Sequence, residues 1–272
     1  MKATKLLGTL LVAAVAVMLM TSAADVHAQA RKKQDAAALG APLTKAAVAL
    51  PLAWATWGQS PKMVAESVDK LLDEDYRPRY KEVQPGVKMK ELDAQLAQEK
   101  NQFRRSRIDF GKIPTGIDAT PLRGEYTYNN KEAVLILTRK GMRTYFFFIQ
   151  DRLWKIIDEP KLGDGSPLGR TYPEAVVKLS TNYGVPGRVL PPEGSRSAVE
   201  VDWKTATTHV RAIQRGAAAI ALGYEDNATL ANLAALRVNK AADNDGIDPD
   251  VAAALRGTGG NVPAPPDKDK KK

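Results

Sequence analysis

Apolar residues recur at helical spacing in two stretches of the first half of the chain. Ser60 is a good N-cap and Pro61 suits the first helical position, and the spacing of the apolar residues that follow predicts a helix over 61–74. A second amphipathic stretch predicts a helix over 89–106. The proline at 78 is expected to break the chain between them.

After residue 123 the pattern changes to short apolar or alternating runs separated by turn residues. Short turns between consecutive runs favour antiparallel neighbours, so the runs predict a four-stranded meander. Its strands are predicted at 124–128, 133–138, 143–149 and 153–158.

A helix and a second group of strands follow the meander. The helix is predicted over 172–183, with Thr171 as N-cap and Gly184 as the terminating residue. Three strands are then predicted at 198–203, 207–215 and 217–224, followed by a last helix over 227–240 capped by Asp226. No internal repeat of fixed period is found. The pattern predicts an α+β fold with the N-terminal helices packed on the sheet.

The third and fourth strands of the meander are apolar on both faces. In 145–149 and 153–157, successive residues point to opposite faces, and neither face is polar. In the second run, alternation places Leu153 with Ile157 and Trp154 with Ile156. These strands are expected to be central and covered on both sides within the chain; the alternative is an aromatic face left open as a binding surface.

The first residues have the three-part pattern of a secretory signal peptide. Lys2 and Lys5 precede an apolar run over 6–20, which small and polar residues follow. Cleavage is expected after Ala28, with Ala30 as the nearby alternative. The apolar run is short for a membrane span, which makes an uncleaved anchor the less favoured reading. The sequence predicts a periplasmic or secreted protein.

The predicted organisation therefore has four parts. They are a signal peptide over 1–28, a flexible Ala-rich leader over 29–53, a single α+β domain over 54–240, and a mostly disordered tail over 241–272 that is first acidic, then rich in Gly and Pro, and finally rich in Lys.

Composition removes several kinds of chemistry. The chain has no cysteine, which excludes disulfides, thiol nucleophiles and thiolate metal sites. Its net charge of +9 is compatible with an anionic envelope component as partner. No phosphate-binding glycine loop and no nucleic-acid module is found, so no cofactor and no nucleic acid are predicted.

Few residues offer catalytic or metal chemistry. His209 lies inside a predicted strand without a nucleophile motif, which favours a structural role. Carboxylate pairs could support a hydrolase without histidine. The candidate pairs are Glu125 with Glu132, and Asp158 with Glu159. The acidic stretch 243–250 does not have the glycine and glutamate spacing of an EF-hand, so capping or linker roles are favoured over calcium.

Basic clusters are the remaining candidates for contact with a partner. Arg104, Arg105 and Arg107 end the second predicted helix, and lysines end the chain at 268–272. These cations are candidates for contact with anionic lipid, glycan or an acidic partner, although such runs are most often only solvated.

Three stretches carry a resemblance to known proteins. Trp57-Gly-Gln-Ser-Pro61, Leu153-Trp-Lys-Ile156 and Leu179-Ser-Thr-Asn-Tyr-Gly-Val-Pro186 resemble uncharacterised secreted proteins of Gram-negative envelopes. The layout of 54–240 is also similar in architecture to small α+β periplasmic modules of envelope-assembly lipoproteins. The resemblance implies no catalytic residues. The missing lipid-bearing cysteine departs from the lipoprotein pattern.

The sequence thus favours an exported, non-enzymatic protein that binds an envelope partner or has a structural role. The alternatives are a carboxylate-based periplasmic hydrolase and a binder of anionic lipid or glycan through the basic clusters.

Overall fold

A computed structural model describes residues 40–193 and 196–239 of the 272-residue chain. Its strands are β1 (Ile108–Asp109), β2 (Glu132–Arg139), β3 (Met142–Ile149), β4 (Arg152–Glu159), β5 (Arg188–Leu190), β6 (Glu200–Lys204), β7 (Thr208–Gly216) and β8 (Ala219–Asp226). They form one sheet in the order β1-β2-β3-β4-β8-β7-β6-β5, and every neighbouring pair is antiparallel.

The helices lie on both sides of this sheet. They are α1 (Pro61–Lys81), α2 (Val87–Arg105), α3 (Tyr172–Tyr183), α4 (Asn227–Ala231) and α5 (Leu233–Leu236), with a 3₁₀ helix at Gly116–Ala119. Buried residues of α1, α2 and α3 pack on one face of the sheet. The predicted α+β class and the packing of the N-terminal helices on the sheet are confirmed. The described strands number eight rather than about seven. Strands β1 and β5 were not predicted, because they are too short to leave a pattern in the sequence, and the predicted strand at 124–128 is not formed.

The connectivity occurs twice. Helix α2 leads into β1–β4, and helix α3 leads into β5–β8. The two meanders meet through their last strands, β4 and β8, so that their first strands lie at opposite edges. The arrangement repeats in topology without a repeat of fixed period in the sequence.

The apolar strands β3 and β4 are covered on both faces within the chain, as predicted. Phe146 and Phe148 belong to the core under α1, α2 and α3. Tyr145, Phe147 and Ile149 belong to a second core, which the segment 110–126 and helices α4 and α5 cover. The aromatic run is therefore core, and the alternative of an open aromatic face is wrong.

A β-bulge corrects the prediction of faces in β4. Phe147 pairs with Lys155 and Phe148, the next residue of β3, pairs with Leu153, so Trp154 is an extra residue of β4 without a partner in this register. Trp154 consequently lies in the same core as Ile157, whereas Leu153 lies in the other core. Simple alternation had placed Trp154 on the opposite face from Ile157.

The predicted strand at 124–128 is wrong, because these residues form turns. Tyr126 stacks on Phe110 with 3.8 Å between ring centroids, and the phenols of Tyr126 and Tyr128 both donate hydrogen bonds to Asp118. Tyr126 and Tyr128, whose alternation suggested a strand, instead pack in the second core on one face of the sheet. Strand β1 takes the edge position that this segment was expected to fill.

Two helix predictions also need correction. Helix α1 continues beyond residue 74 to Lys81, with Pro78 inside it. The predicted helix at 227–240 is two short helices, although Asp226 caps the first of them through its side chain. By contrast, α3 has the predicted bounds, with Thr171 as N-cap and Gly184 in the left-handed region at φ 71°.

Several predictions fall on residues outside the described ranges. These are the signal peptide with its cleavage site, the first part of the leader, the acidic stretch 243–250 and the lysine-rich end. Part of the predicted leader is described: Thr44 donates its backbone N–H to Lys204 at 2.9 Å. None of the helices within 40–193 and 196–239 combines the length and the hydropathy needed to cross a membrane.

Candidate functional site: an apolar cleft at the edge of the sheet

The outer edge of β2 is only partly paired. Strand β1 covers it at Ala133 and Val134, and no other described strand continues along that side. Beyond this point, Ile136 donates its N–H to Ser106 Oγ at 2.8 Å. Because backbone groups in an antiparallel strand alternate in direction, those of Thr138 also point outward. The end of β2 therefore presents an open strand edge.

A cleft of about 440 Å³ lies beside this edge, between α2 and the 3₁₀ helix. Most of its wall is apolar side chains that also belong to the two cores or pack against them. The lining residues are Leu72, Glu99, Gln102, Phe103, Ser106, Ile108, Gly116, Ile117, Thr120, Leu122, Ile136, Leu137, Thr138, Arg143 and Tyr145. This volume is in the range of ligand-binding clefts.

The 3₁₀ helix that forms one wall is held by Asp118. Besides the two tyrosine hydrogen bonds, Asp118 accepts the backbone N–H of Thr115 at 2.9 Å. Burial raises the pKa of Asp118, but the hydrogen bonds from Tyr126 and Tyr128 outweigh burial, so the pKa lies below its ordinary value. A charged, fully bonded Asp118 fixes this wall against the sheet.

The equivalent edge in the other half of the sheet is filled by an extended segment. Arg188 pairs with Asp202 as Ile108 pairs with Val134, so Lys204 corresponds to Ile136. Lys204 donates its N–H to the carbonyl of residue 42 and accepts the N–H of residue 44, both at 2.9 Å. Residues 42–44 of the same chain therefore lie along β6 at Lys204. The corresponding place along β2, at Ile136, is the edge that lies beside the cleft.

The three predicted contact arginines have different surroundings. Arg104 forms an ion pair with Asp69, and Arg107 pairs with Asp109 at 2.7 Å and with Asp151 at 3.3 Å. Arg105 is exposed and forms no ion pair with a described residue. It lines a shallow groove on α2 that shares Gln102 and Ser106 with the cleft. Two of the three arginines are thus paired with carboxylates, and Arg105 is not.

The candidate hydrolase carboxylates are engaged by cations. Glu125 accepts Lys155 Nζ at 2.8 Å and Arg211 Nη2 at 2.6 Å. Burial raises its pKa, but these two cations outweigh burial and lower the pKa to about 2. Glu132 is bound by Arg237 at 2.8 Å. Both carboxylates are thus paired with cations of the fold, and neither lines the cleft.

The second carboxylate pair and the histidine are also built into the fold. Burial raises the pKa of Asp158, whose carboxylate accepts the hydroxyl of Thr144 at 2.7 Å. Neither Asp158 nor Glu159 lines the cleft. His209 lies between Asp202, 3.0 Å from Nε2, and Glu225, 2.9 Å from Nδ1. Both ring nitrogens are thereby engaged, as expected for a structural histidine.

His209 belongs to a network of charges across β4, β8, β7 and β6. Arg211 is its centre, with Nη atoms near Glu125 at 2.6 Å, Glu225 at 2.9 Å and Glu200 at 3.2 Å. Lys155 joins Glu125 to Glu225. In the described part of the chain, no group of acidic and histidine side chains is arranged to hold a metal ion.

Sequence reasoning missed the cleft. Its lining comes from α1, α2, β1–β3 and the loop that contains the 3₁₀ helix, and each of these residues looks like ordinary core or surface in the sequence. The only sequence signal was the run of small and polar residues on the outer side of α2 next to Arg105. No family model, curated protein or solved structure matches the chain significantly, so the cleft has to be interpreted from its own geometry.

Proposed function

We propose that the chain is an exported, non-enzymatic binding protein of the cell envelope, and that its cleft binds an extended apolar segment of a partner protein. The N-terminal pattern of 1–28 supports export. The observation that carries the binding proposal is the cleft of about 440 Å³ beside the unpaired end of β2.

The open edge supplies the backbone part of recognition. An extended peptide that pairs with Thr138 and the carbonyl of Ile136 would continue the sheet and satisfy their outward groups. In this mode, main-chain hydrogen bonds contribute affinity, and pockets for alternate side chains contribute specificity. The apolar wall formed by Phe103, Ile117 and Leu122 provides such a pocket.

The other half of the molecule supports an extended occupant. Residues 42–44 pair with Lys204 at the corresponding edge, which demonstrates that the chain's own architecture accommodates an added segment there. At the corresponding place on β2, no described strand pairs with Ile136 on its outer side. Its outward N–H donates to the side chain of Ser106 instead.

The rim adds a preference of charge. Arg105 lies in the adjoining groove and Arg143 lines the cleft, whereas Glu99 is already hydrogen-bonded to Tyr76 at 2.6 Å. We expect acidic residues beside the apolar part of the bound segment. Among the described residues, the alternative function of polyanion binding rests mainly on Arg105, because Arg104 and Arg107 are paired with carboxylates.

Selection from a library of short random peptides against the full chain tests the proposal. The Gln102→Trp variant places a bulky side chain in the cleft, and Gln84→Trp is the matched control at an exposed position before α2, outside the cleft and the adjoining groove. Peptides enriched on the native chain should bind Gln84→Trp equally and Gln102→Trp at least about tenfold more weakly. Equal binding to both variants, or no enrichment at all, would contradict the proposal.

A further inference from the structure

A second, smaller cavity lies on the face of the sheet opposite α1, α2 and α3. Its volume is about 60 Å³, and it lies between β6, β7 and the loops at 121–125 and 196–198. Arginines dominate its lining. The lining residues are Pro121, Arg123, Gly124, Glu125, Arg196, Ser197, Ala198, Glu200, Arg211, Ile213 and Arg215. Arg211 is paired with both lining glutamates and with Glu225, and Arg196 is paired with Glu193.

Two of these arginines have buried N–H groups without a protein acceptor. Arg211 uses its Nη atoms for three glutamates, but its buried Nε has no hydrogen-bond partner among the described residues. The same holds for Nε and Nη2 of Arg215. Both glutamates that line the cavity, Glu125 and Glu200, are already bonded to Arg211.

The state of Arg215 is unfavourable for stability alone. Burying N–H groups of a cation without hydrogen bonds is unfavourable or displaces the pKa of the cation. Burial indeed lowers the pKa of Arg215, and the more distant carboxylates of Glu125, Glu159 and Glu200 do not offset it. An apolar side chain of similar length would fill the same space without this cost. Packing therefore does not explain an arginine at this position.

We propose that this cavity binds a small oxyanion, namely the carboxylate or phosphate head of a ligand, between Arg211 and Arg215. A guanidinium presents its N–H groups as a planar fork that matches both kinds of oxyanion. The cavity volume of about 60 Å³ is far below that of a cleft for a whole ligand, which suits a head group rather than a whole metabolite. Arg123 and Arg196 also line the cavity, and Arg196 pairs with Glu193.

The proposal is independent of the peptide cleft, because different side chains carry it. Leu122 lines the cleft, whereas its neighbours Pro121 and Arg123 line the anion cavity. The turn around Leu122 thus separates the two sites. The proposal of an anion site therefore does not depend on whether a peptide binds the cleft.

Titration of the full chain with sodium acetate and with sodium phosphate, each at constant ionic strength against sodium chloride, tests the proposal. Nitrogen-15 NMR should show shifts of the Nε–H signals of Arg211 and Arg215 with acetate, phosphate or both, and calorimetry should show saturable binding. Acetate and phosphate distinguish the two sources of the oxyanion. Chloride producing the same response, or no saturable shift with either anion, would overturn the proposal.

Arg215→Met separates binding from folding. Without added oxyanion, this variant should have a higher midpoint of thermal unfolding than the native chain, because it removes a desolvated cation. It should also bind the effective anion about tenfold to a hundredfold more weakly, as expected for lost charge-assisted hydrogen bonds. Arg77→Met, at an exposed position on α1, is the control and should leave binding unchanged. A variant Arg215→Met that unfolds at lower temperature and binds anions normally would show that Arg215 has a structural role only.

Discussion

At the scale of single residues, charges account for much of what the structure does beyond apolar packing. Lys155 on β4, with His209 and Arg211 on β7, links carboxylates from β6, β8 and one loop, and these groups are mostly buried. A buried ion pair is weak evidence for net stability, but removing one partner leaves an uncompensated charge and is strongly destabilising. The network therefore specifies how Glu125 and its loop lie over the sheet.

His209 should make stability depend on pH. Burial lowers its pKa, but Asp202 and Glu225 outweigh burial and raise the pKa from 6.5 to about 9. The charged imidazole thus stabilises the fold fully below about pH 6.5, and this contribution is lost as the pH rises through about 9. The loss should be on the order of 3 kcal/mol.

The free energy of unfolding, measured with urea between about pH 6 and pH 9.5, checks this expectation. His209→Gln should flatten the pH dependence in this window, because Asp202 and Glu225 are already ionised there, having pKa values below their ordinary ones. An imidazole that titrates near 6.5 by NMR would contradict it.

At the scale of elements, local signals and distant contacts explain which predictions succeeded. Helix α3 is predicted with its observed bounds because Thr171 and Gly184 are local caps that need no tertiary contact. The segment 124–128 does not form a strand, because its tyrosines contact Phe110 and Asp118. These residues lie outside the alternating run, so the local pattern does not reveal the contacts. The bulge at Trp154 has no signal in the sequence either.

Helix α1 continues through Pro78 for the same reason. Past the predicted end at residue 74, Asp75 pairs with Arg139 and Tyr76 donates to Glu99 at 2.6 Å. Arg79 adds a hydrogen bond of 2.8 Å to Gln95. These contacts with α2 and β2 hold the last turns of α1 although a proline removes one hydrogen bond of the helix.

Pro78→Ala should therefore stabilise the protein. The substitution restores a backbone N–H donor in an exposed part of α1, and the gain is reduced by the greater freedom of the unfolded chain. We expect the free energy of unfolding to rise by about 1–2 kcal/mol, measured with urea. A decrease would show that Pro78 is accommodated without cost.

At the scale of the whole molecule, two meanders joined through β4 and β8 leave two outer edges that differ in their backbone pairing. The edge at β6 is extended by residues 42–44, whereas the end of β2 lies open beside the cleft. Which strand becomes an edge depends on long-range pairing. The sequence therefore predicts the class of fold and the covered sheet, but it does not predict the cleft or the arginine cavity.

At the same scale, the proposed export of the chain has a direct test. We expect cleavage after Ala28 and a product that begins at Gln29, because the small-x-small pattern at 26–28 suits signal peptidase. Expression in a Gram-negative host followed by N-terminal sequencing of the periplasmic fraction checks this. A start at Arg31 would fit the alternative site after Ala30, and a protein retaining Met1 in the cytoplasm would contradict export.

Amide hydrogen exchange at Thr138 tests the central claim most directly. A peptide selected on the native chain is added at saturation, and the exchange rate of the Thr138 N–H is compared with that of the free protein. Pairing of the peptide along β2 should slow this exchange strongly, because the outward N–H gains a backbone acceptor. Exchange at Thr138 that stays unchanged while the peptide is bound would contradict strand addition at this edge.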